Sequence, residues 1–185
     1  MTDETLLLQA LAGQQQAYTA IVAKYEHLLF TLALRMVKHR EEALEVTQDA
    51  FLKAFRYLAD FRGECKFSSW LYKIGYSVAI NYLRKKRPHV LSIDDDKVSF
   101  SLSTSERSEV KIEQSDQKTY LEAAIRQLSP DDAAIITFFY IFEQKIDEIC
   151  VTMELSETNA KTKLSRARQR LRKIIEEGFS ELINH

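Results

Sequence analysis

The sequence predicts an all-α protein made of two small helical domains joined by a flexible linker. Its 185 residues include only 4 Gly and 2 Pro, which is few for a turn-rich β fold. Apolar residues make up 45% of the chain and recur at three- and four-residue intervals over long stretches, as in amphipathic helices. Near the middle of the chain this period is lost, which indicates a boundary between two domains.

The first domain is predicted over residues 1–87, with three amphipathic helices. Residues 15–39 place apolar side chains along one stripe. Residues 41–58 follow the same pattern and expose an acidic edge on the opposite side. The third helix is predicted over residues 68–86, after the loop FRGECKF, and Pro88 ends it because proline cannot continue a helix.

Residues 88–116 are predicted to form the linker, because Ser and acidic residues dominate them without any period. The second domain is predicted over residues 117–185. Its clearest helix start is Ser129, where a capping hydroxyl precedes Pro130 and two acids that suit the positive end of the helix dipole. The almost wholly apolar run that follows, AAIITFFYIF, is predicted to be the core of a small four-helix unit.

Residues 146–173 predict a helix-turn-helix, with a short helix, a three-residue turn and a long basic helix. Between Ser156 and Lys173 there are seven Lys or Arg against one acid, Glu157. Ser156 is a suitable N-cap, since its hydroxyl can accept a hydrogen bond from the first turn. A capped basic helix in second position is typical of proteins that enter the DNA major groove. The alternative interpretation is a solvated amphipathic helix.

The charge distribution indicates two contacts with a polyanion. The chain has a net charge of −1, but residues 62–87 and residues 156–173 each carry +6. Cationic surfaces in an otherwise acidic chain favour nucleic acid at two places and limit loose binding elsewhere.

Aromatic residues alternate with cations in the first basic stretch. Base stacking on an aromatic ring contributes ~1–3 kcal/mol, so the aromatic cluster could hold an opened duplex. The alternative is that these rings are core, which we expect for Trp70 or Tyr72 and for both Phe. The cluster comprises Phe61, Phe67, Trp70, Tyr72, Tyr76 and Tyr82.

Several classes of protein are disfavoured by the sequence. Cys65 and Cys150 lack metal-ligand spacing and are expected to be reduced thiols of a cytoplasmic protein. The four His are scattered and there is no glycine-rich phosphate loop, so we expect neither an enzyme nor a cofactor. The start of the chain does not resemble a signal peptide, and no run reaches the ~18–20 apolar residues of a membrane span, so we expect no membrane insertion.

Three segments, in this order, resemble the extracytoplasmic-function (group 4) sigma factors, the dissociable promoter-recognition subunits of bacterial RNA polymerase. EEALEVTQDAFLKAF resembles the helix that docks on the polymerase clamp, and FRGECKFSSWLYKIGYSVAINYLRKKR resembles the melting and −10 segment. The run from LSPDDAAII to ARQRLRK resembles the −35 domain. The resemblance implies region 2 in the first domain, region 4 in the second, and transcription initiation as the function.

The resemblance also implies partners and contact residues. Core polymerase would be bound through its β′ coiled coil and β flap, with Glu45, Gln48 and Asp49 at the coiled coil. The −10 contacts would be Arg62, Gly63, Glu64, Cys65, Lys66, Ser77, Asn81, Arg84 and Lys85. The −35 contacts would be Ser156, Thr158, Asn159, Lys161, Thr162, Lys163 and Arg166.

Departures from the family pattern concern the promoter sequence. Ser77 stands where Asn is common, Asn81 where Asp is common, and Glu154 where the turn usually has Gly. Thr158-Asn159 replaces a frequent Gly-Thr pair. In this family an anti-sigma protein usually restrains activity, so we expect such a partner.

Two other interpretations stay open at this point. One is a conventional helix-turn-helix regulator whose first domain mediates dimerisation, which leaves the first basic stretch without a role. The other is an all-helical adaptor that binds only proteins, with its cations merely solvated. A sigma factor would start specific RNA synthesis with core polymerase, a regulator would bind DNA without polymerase, and an adaptor would do neither.

Overall fold

The computed structural model describes residues 2–86 and 114–183, and all regular structure in these ranges is helical. The predicted all-α class and the two-part organisation are therefore confirmed. The first half contains α1 (Asp3–Leu11), α2 (Gln15–Val37), α3 (Arg40–Arg56), a 3₁₀ turn (Leu58–Asp60) and α4 (Phe67–Lys86). The second half contains α5 (Gln114–Gln127), α6 (Pro130–Tyr140), α7 (Ile146–Met153) and α8 (Glu157–Ile183).

In the first half, α2, α3 and α4 pack against one another around a shared apolar core. Small residues make close helix packing possible, since Ala43, Ala54 and Ala79 are all fully buried. Gly75 of α4 serves the same purpose, because a Cβ there would lie 2.6 Å from Leu29 Cδ2 of α2. The result is a rigid three-helix platform that presents α3 and the C-terminal part of α4 at its surface.

The short helix α1 was not predicted from the sequence. Thr2 caps it by accepting a hydrogen bond from Thr5 N–H at 3.4 Å, and Leu6 and Leu7 are buried. The Tyr25 hydroxyl donates to Asp3 Oδ2 at 2.7 Å, which attaches the start of α1 to α2. Nine residues are too few to show a helical period clearly, so packing on α2 rather than sequence pattern defines this helix.

In the second half, α6 is the central helix, and every residue from Asp132 to Phe138 is buried. The predicted caps are confirmed: Ser129 Oγ accepts from Asp132 N–H at 3.3 Å, and Ser156 Oγ accepts from Asn159 N–H at 3.3 Å. The helix α8 packs against α5, α6 and α7 through its apolar seam. This arrangement fixes the position of the basic helix relative to the turn before it.

The two halves contact each other and share one apolar core. Tyr72 of α4 stacks on Phe142 with ring centroids 4.4 Å apart, and α2 packs against α6. Residues 88–113 of the predicted linker lie outside the described residues. The helix α5 begins at Gln114.

In the described ranges 2–86 and 114–183, no helix has both the length and the apolar character that a bilayer crossing demands.

Candidate nucleic-acid interface

The predicted polymerase-docking residues lie on one exposed edge of α3. Glu45, Gln48 and Asp49 are all exposed, since their three- and four-residue spacing puts them on the face opposite the buried Val46 and Ala50. One turn further, Leu52 leaves 65% of its surface in solvent. An apolar side chain beside two carboxylates gives this edge the mixed character of a protein-binding surface.

A groove of about 620 Å³ between α3 and α4 joins two sets of predicted residues. Glu45 and Asp49 line it from α3, and Asn81 and Lys85 line it from α4. The sequence assigned the first pair to polymerase and the second pair to DNA, and it gave no sign that they border the same groove. The two assigned surfaces are therefore adjacent.

The loop before α4 brings the predicted −10 loop residues to the surface. Arg62, Gly63, Glu64 and Lys66 are exposed, and Cys65 is half-buried. Gly63 has a φ of +73°, a left-handed conformation that glycine adopts without steric cost. The loop therefore folds back sharply and directs its polar side chains away from the core.

Along α4, the other predicted −10 residues follow one side of the helix. Asn81, Arg84 and Lys85 are exposed, whereas Ser77 is half-buried. The neighbouring Lys86 is paired with Glu42 of α3, so that cation is engaged within the first half.

The aromatic residues of the first basic stretch differ in burial: Phe67 and Tyr72 are buried, and the other four are half-buried. Phe67 and Tyr72 are buried, as expected for core residues, and Phe61 and Trp70 are half-buried against Phe67. Tyr76 donates a hydrogen bond to Asp131 Oδ1 at 2.8 Å. The rings thus pack mainly on protein, and Phe61 and Trp70, at the base of the loop, keep partly accessible faces.

The helix-turn-helix consists of α7, the turn and α8. Glu154 ends α7 in a left-handed conformation, with φ of 55° and ψ of 45°. The inner seam of α8 is Ala160, Leu164 and Ala167, all buried. The outer face exposes six of the seven predicted −35 residues: Ser156, Thr158, Asn159, Lys161, Thr162 and Arg166.

Lys163, the seventh predicted −35 residue, is half-buried and its ammonium lies 3.1 Å from Asp131 Oδ2. One turn further along α8 from Arg166, Arg170 contacts Asp132 Oδ2 at 2.5 Å. The two acids at the start of α6 therefore anchor α8 as well as suiting the helix dipole. Sequence reasoning found only the dipole role, because the partners are 32 and 38 residues away.

Ion pairs connect the first basic stretch with the helix-turn-helix. Lys66 Nζ lies 2.7 Å from Glu148 Oε1, and Lys73 Nζ lies 2.8 Å from Glu154 Oε1. Burial alone would raise the pKa of Glu148, but Lys66 and the Lys145 N–H outweigh it, so the pKa lies below its ordinary value. The hydrogen bond from Lys73 lowers the pKa of Glu154 as well.

Comparison with known proteins agrees with this geometry. Residues 21–89 match the family described as Sigma-70 region 2, and residues 118–171 match Sigma-70, region 4. The RNA polymerase sigma-H factor of Pseudomonas aeruginosa is 28% identical over 181 residues, with 94% of each chain covered. The ECF RNA polymerase sigma-E factor of Escherichia coli K12 is 28% identical over 179 residues, covering 91% of this chain and 92% of its own.

Solved structures show the same fold. CnrH, in complex with the cytosolic domain of CnrY, superposes with a TM-score of 0.68 at 20% identity, covering 95% of this chain and 97% of its own. RpoE of Bartonella quintana, in complex with the anti-sigma factor NepR, gives 0.64 at 18% identity, covering 86% and 96%. The two sigma-70 regions are matched in order, and the relatives are similar over nearly their whole length. These matches agree with the exposed basic helix and the acidic edge. This chain therefore belongs to the extracytoplasmic-function group of the sigma-70 family.

Proposed function

We propose that this chain binds bacterial core RNA polymerase and directs promoter-specific initiation, contacting −10 DNA with residues 1–87 and −35 DNA with residues 117–185. The observation that supports this most is the separation of three exposed surfaces. An acidic edge lies on α3, a cationic surface on the loop and α4, and a second cationic surface on α8. A regulator that binds DNA alone has no use for the first of these surfaces.

The α3 edge is the proposed docking site for the β′ coiled coil. Glu45, Gln48 and Asp49 offer two negative charges and an amide beside the exposed Leu52. Charge complementarity selects a basic partner, and the apolar side chain adds contact area that a purely ionic surface lacks. The β flap is the proposed partner of the second half.

The proposed −10 contacts are the loop from Arg62 to Lys66, together with Ser77, Asn81, Arg84 and Lys85. Phe61 and Trp70 lie at the base of the loop, where a base that leaves the stack finds a partly open aromatic surface. Unstacking a base costs a few kcal/mol, and stacking on such a surface returns ~1–3 kcal/mol of that cost. Arg84 and Lys85 bind phosphates, which hold the opened strand in place.

For the −35 element we propose that α8 enters the major groove with its N-terminal turns. Asn159 suits adenine and Lys161 suits guanine, since these side chains match the base edges exposed there. Ser156, Thr158, Thr162 and Arg166 surround them as backbone contacts. Lys163 joins this set only after it leaves Asp131, 3.1 Å away.

No covalent step is assigned to this chain. Bond formation belongs to the polymerase, and the chain supplies binding energy, position and strand capture without a cofactor. The proposed location is the cytoplasm, where the polymerase and the promoter are. The solved relatives that superpose on this fold are in complex with the cytosolic domain of CnrY and with the anti-sigma factor NepR. We include an anti-sigma protein among the proposed partners of this chain.

Binding to core polymerase, measured by fluorescence anisotropy of labelled chain, tests the docking assignment. Asp49→Lys and Gln48→Ala should weaken binding by about fivefold or more, because an interface residue of this kind contributes about 1 kcal/mol or more. Glu26→Lys changes an exposed acid of α2 on another face and should bind like the native chain. Equal affinities for all four proteins would remove the α3 edge from the proposal.

DNA binding with and without polymerase separates the rival functions. A conventional regulator binds a specific duplex alone, whereas the proposed function requires polymerase for specific binding. An adaptor does neither, and it would lose no nucleic-acid affinity when Lys161 and Lys163 are substituted. Each result identifies one class.

A further inference from the structure

Glu42 of α3 holds the cationic end of α4, where two of the proposed −10 contacts lie. Its carboxylate pairs with Lys86, 44 residues further along the chain. We propose that Glu42 is a positioning residue for DNA binding: by fixing Lys86 on α3, it keeps Arg84 and Lys85 directed at the phosphates of the opened −10 strand. This inference rests on the proposed function for the role of Arg84 and Lys85, and it adds a residue that does not itself touch DNA.

The first turn of α3 gives Glu42 a firm backbone. Arg40, at the start of this helix, lies over the Phe30 ring of α2, with its guanidinium carbon 5.4 Å from the ring centroid. Ala43, the next residue after Glu42, is fully buried. These contacts hold the chain on both sides of Glu42 against the rest of the first half, so the carboxylate is attached to a fixed part of the fold.

The Glu42 side chain is mostly buried, with 19% of its surface exposed. One oxygen, Oε1, accepts a hydrogen bond from the Lys86 ammonium group. The other, Oε2, is buried and has no hydrogen-bond partner within residues 2–86 and 114–183. Burying an unpaired oxygen is unfavourable, so an acid suits this place poorly for packing alone. Its negative charge is useful here because it attracts a cation at the end of α4.

The last turn of α4 needs such a contact. Arg84, Lys85 and Lys86 are adjacent there, and like charges repel one another. The final carbonyl groups of a helix also lack intrahelical partners, so helix ends fray. The pair with Glu42 opposes both effects, because it neutralises one of the three cations and joins the final turn of α4 to a second helix.

Fixing Lys86 also fixes the directions of the two residues before it. Successive side chains are about 100° apart around a helix, so the three cations point to different sides. With Lys86 held on α3, Lys85 lies along the groove between α3 and α4, which Asn81 also lines. Arg84 and Lys85 are exposed, and neither has an ion-pair partner in the part of the chain that the structure describes. Both cations are therefore available for phosphates.

A purely stabilising role is the alternative explanation for the pair. The Lys86 side chain is 53% exposed, and water screens an ion pair of this kind, so its contribution to the unfolding free energy is small. The helix dipole does not single out Glu42 either, since Glu41 lies in the same first turn of α3. Glu42 differs from Glu41 in its contact with α4, and the effect of that contact should appear in DNA binding.

Glu42→Gln in the full chain tests this inference, with Glu41→Gln as the matched control. Both substitutions remove one negative charge from the same helical turn, and Glu41 is exposed without an ion-pair partner among the described residues. Fluorescence anisotropy measures the affinity of each protein for a labelled single-stranded DNA of about 20 nucleotides and random sequence. Polymerase is absent from this measurement, so the neighbouring docking edge does not affect it.

The two variants should change DNA affinity in different directions. Removing an acid beside a cationic surface favours DNA, so Glu41→Gln should bind as tightly as the native chain or more tightly. Glu42→Gln should bind about fivefold more weakly at about 0.1 M salt, because one phosphate contact contributes about 0.7 to the salt slope on a single strand. The measured slope should fall by about the same amount. Binding by Glu42→Gln that equals or exceeds native binding would overturn the inference.

Two further variants locate the effect. Glu42→Lys combined with Lys86→Glu keeps the net charge and rebuilds the pair in reverse, so it should bind DNA within about twofold of the native chain. Arg84→Gln combined with Lys85→Gln removes the proposed phosphate contacts, and adding Glu42→Gln to that background should weaken binding no further. A reversed pair that binds as weakly as Glu42→Gln, or a further loss in that background, would overturn the inference. Failure of the −10 assignment itself looks different, because Arg84→Gln with Lys85→Gln would then bind DNA like the native chain.

Discussion

The Arg35 guanidinium donates a hydrogen bond to the Thr137 hydroxyl at 3.0 Å, across the boundary between the two halves, and both side chains are buried. The same guanidinium forms a two-pronged pair with Glu122, with Nε 3.2 Å from Oε2. A buried arginine needs these partners, because an unpaired charge in the interior is strongly unfavourable. The contact therefore fixes α2 against α5 and α6.

Glu122→Gln should lower the free energy of unfolding by about 1–2 kcal/mol, because it leaves Arg35 without its counter-charge. The loss of stability should lie near the lower limit of this range, because the Glu122 side chain is 40% exposed and water partly screens the pair. Urea unfolding at neutral pH measures it. Glu177→Gln, which removes an exposed acid within α8, should cost less than about 0.5 kcal/mol. Equal losses in the two variants would contradict this role of the pair.

Removing the cap of the basic helix should destabilise the second half. Ser156→Ala leaves the Asn159 N–H without its acceptor at 3.3 Å and should cost about 1 kcal/mol. Ser156→Asp keeps an acceptor oxygen and should be close to native in stability. Thermal unfolding followed by circular dichroism compares the three proteins, and identical melting of the Ala and Asp variants would show that the cap contributes nothing.

The pair of Glu148 and Lys66 should make stability depend on acid pH. Since the pKa of Glu148 lies below its ordinary value of 4.5 in the folded chain, ionised Glu148 stabilises the fold above that value. The contribution disappears as the pH falls through the lowered pKa. The difference in unfolding free energy between the native chain and Glu148→Gln should therefore be largest near pH ~7 and shrink below about pH 4.5. A difference that stays constant down to about pH 3 would exclude the ion pair as its cause.

The thiol of Cys65 should react slowly. Burial raises its pKa, with Lys73 opposing and Glu64 adding to the effect, so the thiol is the dominant form at about pH 7.5. Iodoacetamide should label Cys65 more slowly in the folded chain than in urea, with mass spectrometry separating it from Cys150. Labelling at least as fast in the folded chain would point to an activated thiolate and contradict this expectation.

Local signals in the sequence predicted most of the helices. Ser129 and Ser156 were identified because a cap acts within three residues, and α2, α3 and α4 were identified because their apolar stripes are long. The helix α1 was missed, since nine residues next to a polar stretch show little period. The same periodicity predicted that the α3 edge and the outer face of α8 are exposed.

Contacts between the halves could not be predicted. Arg35 lies 102 residues from Thr137 in sequence and looks like any solvated arginine. Asp131 and Asp132 had a sufficient local explanation as acids in a first helical turn, so nothing in the sequence indicated that they hold Lys163 and Arg170. Pairing of this kind depends on which helices meet after folding, and that information is absent from short-range patterns.

Run-off transcription from a randomised promoter library, with purified core polymerase and this chain, tests the central claim most directly. We predict discrete transcripts from a selected subset of templates that core polymerase alone does not produce. Asp49→Lys should lower the yield of these transcripts, because it weakens binding to core polymerase. Asn159→Ala should alter which templates are selected, because it removes a proposed base contact. Transcripts that match those of core polymerase alone, in amount and in template, would contradict the account.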